Sequence, residues 1–194
     1  VSRKRNKFPN RGIIAILFLF FLAFGIDGSN SYLYLLKQTS RGALDNIPNL
    51  YMPNNILRLF TGSGMGIALA AVLFPVTNQT LWHESDKRPA LEWKNFGILI
   101  AIVLLIDLAI LTESPIILYP IAYLSVFGVL ALLITVFSML WIMTMRLDNT
   151  FDHPRQLWLV TAAGLTLGLL LVLSIDLLRF RLTGTWGGFP GISG

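Results

Sequence analysis

Five apolar runs, each long enough to cross a bilayer, constrain the fold of this chain more than any other feature. They cover residues 12–36, 55–76, 93–111, 116–145 and 157–178, with short polar stretches between them. A helical span needs ~20 mostly apolar residues. Lipid satisfies no backbone N–H or C=O, so runs of this kind are helices. The expected fold is all-α: a polytopic membrane helix bundle of about five transmembrane helices. It forms one integral membrane domain over 1–194, with an irregular glycine-rich tail at 183–194. Only 13% of the residues are charged, against roughly 25% in soluble domains, which excludes a soluble globular class.

The charges that remain do two different jobs. Most lysines and arginines flank the runs and read as topology determinants. With the N-terminus inside, the inner side holds Arg3, Lys4, Arg5, Lys7, Arg11, Lys87, Arg88, Lys94, Arg146 and Arg155. The outer side holds Lys37, Arg41, Arg58, Arg179 and Arg181. Ten against five favours N-inside and C-outside. The formal charge of +5 is therefore no sign of nucleic acid; the bilayer is the expected partner. Trp82, Trp93, Trp141 and Trp158 fit interfacial anchors. Asn54 or Asn55 caps the second span, Pro75 disturbs its far end, and Glu113-Ser114-Pro115 makes a tight connection.

The second set of charges lies inside the spans. Asp27, Asp107 and Asp176 fall toward the outer ends of spans one, three and five, and Arg58 at the outer end of span two. A charge at mid-depth costs ~2.5–3.5 kcal/mol on insertion scales, so such groups face protein or a wet cavity. The economical arrangement is one polar cluster centred on Arg58. Gly62 and Gly66 share its helix face at i+4 and i+8, while Gly164 and Gly168 share a face with Asp176. Packing these two small-residue faces pairs Arg58 with Asp176; Asp27 or Asp107 could take that role instead. Asp176 and Arg179 are also an i, i+3 pair able to satisfy itself locally.

Other chemistry finds little support. There is no cysteine, which excludes disulfides, thiolate metal sites and cysteine nucleophiles. No histidine lies inside a span, against axial ligation of a haem. His83-Glu84-Ser85-Asp86 carries metal-type side chains, but one histidine in a mixed loop reads as solvated. Hydroxyls in the spans have no histidine or lysine placed as a base. No catalytic residue, metal or cofactor is expected.

Two stretches carry a resemblance. Gly25-Ile26-Asp27-Gly28-Ser29-Asn30-Ser31-Tyr32-Leu33 and Pro53-Asn54-Asn55-Ile56-Leu57-Arg58-Leu59-Phe60-Thr61-Gly62, with Pro75-Val76-Thr77-Asn78-Gln79-Thr80-Leu81-Trp82 after them, resemble the bacterial membrane proteins grouped as domain of unknown function 2085. The resemblance covers about 12–82. It implies a polytopic fold in the bacterial cytoplasmic membrane and no established activity. It carries over Asp27, Asn30 and Arg58. Longer members have an upstream segment with histidine and a cysteine-containing motif; this chain begins where that segment would end, so the segment is absent or the chain is a shortened relative.

Two functions stay in view. One is a non-catalytic accessory or structural subunit of a larger, energy-converting membrane complex, whose partners are other membrane subunits. The alternative is a small permease or proton/ion channel using the outer-leaflet aspartate and arginine cluster.

Overall fold

The computed structural model describes residues 4–39, 49–83 and 86–184. Five helices follow in order: α1 (Arg11–Thr39), α2 (Asn55–Leu81), α3 (Trp93–Ile110), α4 (Pro115–Met145) and α5 (Trp158–Thr183), the last entered through a 3-10 turn at Pro154–Leu157. All five are long and apolar enough to cross a membrane. The expected all-α class and number of spans hold. The expected tail falls mostly on 185–194, outside the described residues; before it, Gly184 ends α5 in the left-handed conformation at φ 69° and donates to the Phe180 carbonyl.

Pro75 does not end α2. It is fully buried, and the helix runs on to Leu81, because in membrane helices neighbouring groups re-satisfy what a proline releases. The α3–α4 connection is as tight as expected. Glu113 turns the chain at φ 54°, and Pro115, which needs no N–H partner, opens α4.

Two short strands add what helical periodicity does not disclose. β1 (Arg5–Lys7) pairs in parallel with β2 (Asp86–Pro89). Asp86 N donates to Lys4 O and Ala90 N to Lys7 O, both at 2.8 Å. The buried Asn78 amide donates to Arg5 O at 2.8 Å, and Arg5 pairs with Glu92 at 2.9 Å. The basic N-terminal segment and the α2–α3 loop thus meet at one end.

The chain divides into two compact units, Val1–Asn78 with Ser85–Ile121 and Gln79–Glu84 with Ala122–Gly194. In the first, Ile13 and Leu17 of α1 pack with Ile67, Ala68 and Ala71 of α2 and Phe96 of α3. The i, i+4 spacing puts each set on one helix face. In the second, Trp82, Ile142, Phe151 and Val160 form the core. Trp82 is therefore a core residue and not an interfacial anchor, bridged to Phe151 through the backbone. Trp93 and Trp158 are exposed, as anchors would be.

Candidate functional site

The polar centre belongs to the first unit and is built from α1, α2, α3 and the residues just before α2. Asp27 and Asn30, three apart on α1, are 3% and 2% exposed. The Asn30 amide mimics a backbone pairing: Nδ2 donates to Tyr51 O at 2.9 Å, and Oδ1 accepts from Leu50 N at 3.0 Å. The Tyr51 hydroxyl donates to Asp27 Oδ1 at 2.7 Å, and Thr61 of α2 approaches Oδ2 at 3.4 Å. Two α1 side chains therefore fasten the entry of α2 to α1. Tyr51 responds to that bond: the carboxylate it donates to, then burial, then the charge of Asp27 raise its phenol above the ordinary 10.0.

Arg58 is not the cationic centre. Asn54 caps α2, its Oδ1 accepting from Ile56 N at 2.8 Å, and Arg58 lies in the first turn beyond. Its guanidinium donates to Ser31 Oγ of α1 at 3.0 Å, and the residue is exposed. Among the described residues no carboxylate lies within 4.0 Å of it. The physical reason is competition. Tyr51 and Thr61, which are shorter and uncharged, occupy Asp27, while an arginine at a span end reaches outward at less desolvation cost.

Asp176 does not pair with Arg58 either. It meets Arg179 one turn on at 3.4 Å, in a half-exposed i, i+3 pair. Nor do the glycines act as two facing stripes. A Cβ at Gly62 or Gly66 meets nothing within 4 Å among the described residues. On α2 it is Gly64 that is close-packed, where a Cβ would lie 3.1 Å from Phe20 of α1. Gly164 and Gly168 do make a helix contact, but against α4: a Cβ at Gly164 would lie 2.6 Å from Ile134 O, and one at Gly168 3.2 Å from Leu133 Cβ.

Asp107 completes the centre. It is 2% exposed, three residues from the end of α3. Ser63 Oγ of α2 donates to its Oδ1 at 2.7 Å, and Oδ2 is enclosed with no hydrogen-bond partner among the described residues. Thr61 and Ser63 are two positions apart, about 200° around α2, so one hydroxyl serves α1 and the other α3. Of the expected cluster, then, Asp27, Asn30 and Asp107 are buried at the centre, while Arg58 and Asp176 are peripheral. Tyr51 and Ser63 are the residues that sequence reasoning missed. The hydroxyls flanking Gly62 inside an apolar run were the available signal for Ser63; Tyr51 had none.

Chemically the centre offers hydroxyl–carboxyl pairs and one unused carboxyl oxygen. Among the described residues no three histidine, aspartate or glutamate side chains group as a metal site; His83 turns its Nδ1 to Asn149 O at 3.2 Å. No curated protein and no solved structure matches the chain. Residues 1–72, which contain Asp27, Asn30, Tyr51, Arg58 and Ser63, match the family described as a predicted membrane protein, domain of unknown function 2085.

Proposed function

We propose that this multi-pass membrane protein is a non-catalytic accessory subunit of a larger membrane complex in the bacterial cytoplasmic membrane, with an energy-converting assembly as the host. The observation that carries this reading is Tyr123 of α4. It is 66% exposed, eight residues into the helix, or roughly 12 Å along it. Its hydroxyl has no hydrogen-bond partner among the described residues. The 31-residue α4 runs ~46 Å against a hydrocarbon core of ~30 Å, so Tyr123 stands a few ångströms inside the interface, where a neighbouring polypeptide would supply both an acceptor and a surface. Phe127, also 66% exposed, continues the same face at i+4. The polar groups of the centre point the same way: Asp27 and Asn30 are taken up in fastening the chain to itself. The test is a photo-crosslinking residue at 123, followed by purification in mild detergent. An adduct to a different membrane polypeptide supports the reading; only self-adducts or lipid adducts refute it.

One observation favours a second reading, a small permease or proton/ion channel. Asp107 Oδ2 is buried without a partner among the described residues, and intramembrane carboxyls mark ion and proton paths. Against it, the five helices run unbroken through their middles, whereas transporter sites are commonly formed at discontinuous helices. Proteoliposome flux that disappears in Asp107→Asn would decide for this alternative.

A further inference from the structure

We infer that the hollow beside Arg58 is a binding site for a phosphate monoanion, the headgroup phosphate of an anionic phospholipid being its principal source. The hollow measures about 440 Å³ and lies between α1 and the start of α2. Ser31, Tyr34 and Gln38 line it at i, i+3 and i+7, one face of α1, opposite Pro53 and Arg58. The lining thus brings an arginine, a serine, a tyrosine and a glutamine to one opening whose wall is otherwise mostly apolar, as suits a headgroup with acyl chains behind it.

Three facts select an anion. Arg58 has no carboxylate within 4.0 Å among the described residues, and Asp27 accepts from Tyr51 and Thr61 instead. The guanidinium is already oriented: one nitrogen donates to Ser31 Oγ at 3.0 Å, which leaves further N–H donors on a side chain that lines the hollow. Arg58 is also in the first turns of a spanning helix, at the depth where lipid phosphates lie. Arginine matches phosphate geometry with two parallel N–H···O bonds, which a lysine cannot reproduce. This assignment is independent of the accessory-subunit reading.

The experiment uses the full chain in detergent micelles, titrated with dioleoyl phosphatidylglycerol or dioleoyl phosphatidylcholine and read by native mass spectrometry. One charge-assisted contact corresponds to about a tenfold change in affinity. Wild type should retain one phosphatidylglycerol about tenfold more strongly than Arg58→Gln, while phosphatidylcholine, whose phosphate is offset by its own choline cation, should show a smaller difference between the two. Arg58→Lys should fall between them, and Ser31→Ala, which frees the guanidinium without removing it, should lose less than Arg58→Gln. Equal helical circular dichroism and equal elution volume identify variants that are folded. A parallel arm adds inorganic phosphate alone. Displacement of the lipid by millimolar phosphate assigns the site to free phosphate; no displacement assigns it to the lipid headgroup. Equal retention of phosphatidylglycerol by wild type and folded Arg58→Gln overturns the site.

Discussion

Gly164→Ala against Gly62→Ala separates a glycine that packs from one that only looks as if it should. In the wild type α5 lies so close to α4 at Gly164 that an added Cβ would stand 2.6 Å from Ile134 O and 2.9 Å from Ser138 N. Both are backbone atoms of α4, so relief requires moving a helix. The same methyl would also crowd Ser138 Oγ, which donates to Val160 O at 3.1 Å. Overpacking of this kind costs about 1–3 kcal/mol, and loss of the hydrogen bond a further ~0.5–1.5. The gain in helix propensity from glycine to alanine returns ~1 kcal/mol. The net expectation is a loss of roughly 1–3 kcal/mol, the steric term being the larger. At Gly62 only the propensity gain applies, because a Cβ there meets nothing within 4 Å among the described residues. Thermal unfolding in one detergent, followed by circular dichroism, is the assay. At roughly 2–4 °C per kcal/mol for a chain of this size, Gly164→Ala should melt several degrees lower and Gly62→Ala at or slightly above the wild type. If Gly164→Ala were as stable as the wild type, or Gly62→Ala fell as far as it, the assignment of the close approach to α4 would be wrong.

Three further outcomes are expected. Tyr51→Phe leaves the buried Asp27 Oδ1 without its donor and should cost ~1–3 kcal/mol, measured as a lowered midpoint in the same unfolding assay. Because Tyr51 has a raised pKa in the folded chain, its contribution is fully present below pH 10 and is lost as the pH climbs through the raised value; the difference in tyrosinate absorbance between wild type and Tyr51→Phe should show a phenol that ionises late, and ionises earlier in Asp27→Asn. Ser63→Ala should destabilise by ~1–3 kcal/mol, since it deprives Asp107 of its one donor among the described residues, whereas Ser63→Ala with Asp107→Leu removes both polar partners and should recover most of that loss in a double-mutant cycle. Asn78→Leu should cost more than Glu92→Ala, because the first deprives Arg5 O of a donor from a buried amide while the second removes a half-exposed ion pair worth ~0–1 kcal/mol; differential scanning fluorimetry can rank the two.

The helices were legible because bilayer thickness and apolar run length are one quantity seen twice. Segments 93–111 and 116–145 match α3 and α4 to within a residue or so. The far end of α2 depends on surroundings that a local rule does not contain: Pro75 breaks a solvated helix, yet here it is enclosed and α2 continues for another six residues. The parallel pairing of β1 with β2 had no periodic signal, since three or four residues of charged sequence alternate nothing. Trp82 was misread for a related reason, because a tryptophan at a span end is the same symbol whether it faces headgroups or Phe151.

The polar centre was half legible, and the missing half follows from what a sequence can encode about charge. It shows which side chains must escape lipid, and so it picked out Asp27, Asn30 and Asp107. It does not show which donor reaches them first. Opposite formal charge made Arg58 the apparent partner, but a buried carboxyl needs hydrogen bonds with short, aligned donors more than it needs a distant cation, and breaking even costs less with hydroxyls because only one ion is desolvated. Tyr51 and Ser63 meet that need at Asp27 and Asp107, each at 2.7 Å, with Thr61 a longer contact shared with the Arg58 carbonyl. Arg58, released from them, turns to Ser31 and the hollow beside it. The cation and the carboxyls are thus separate devices: one set holds three helices together, and the other is left available to an anion from outside the chain.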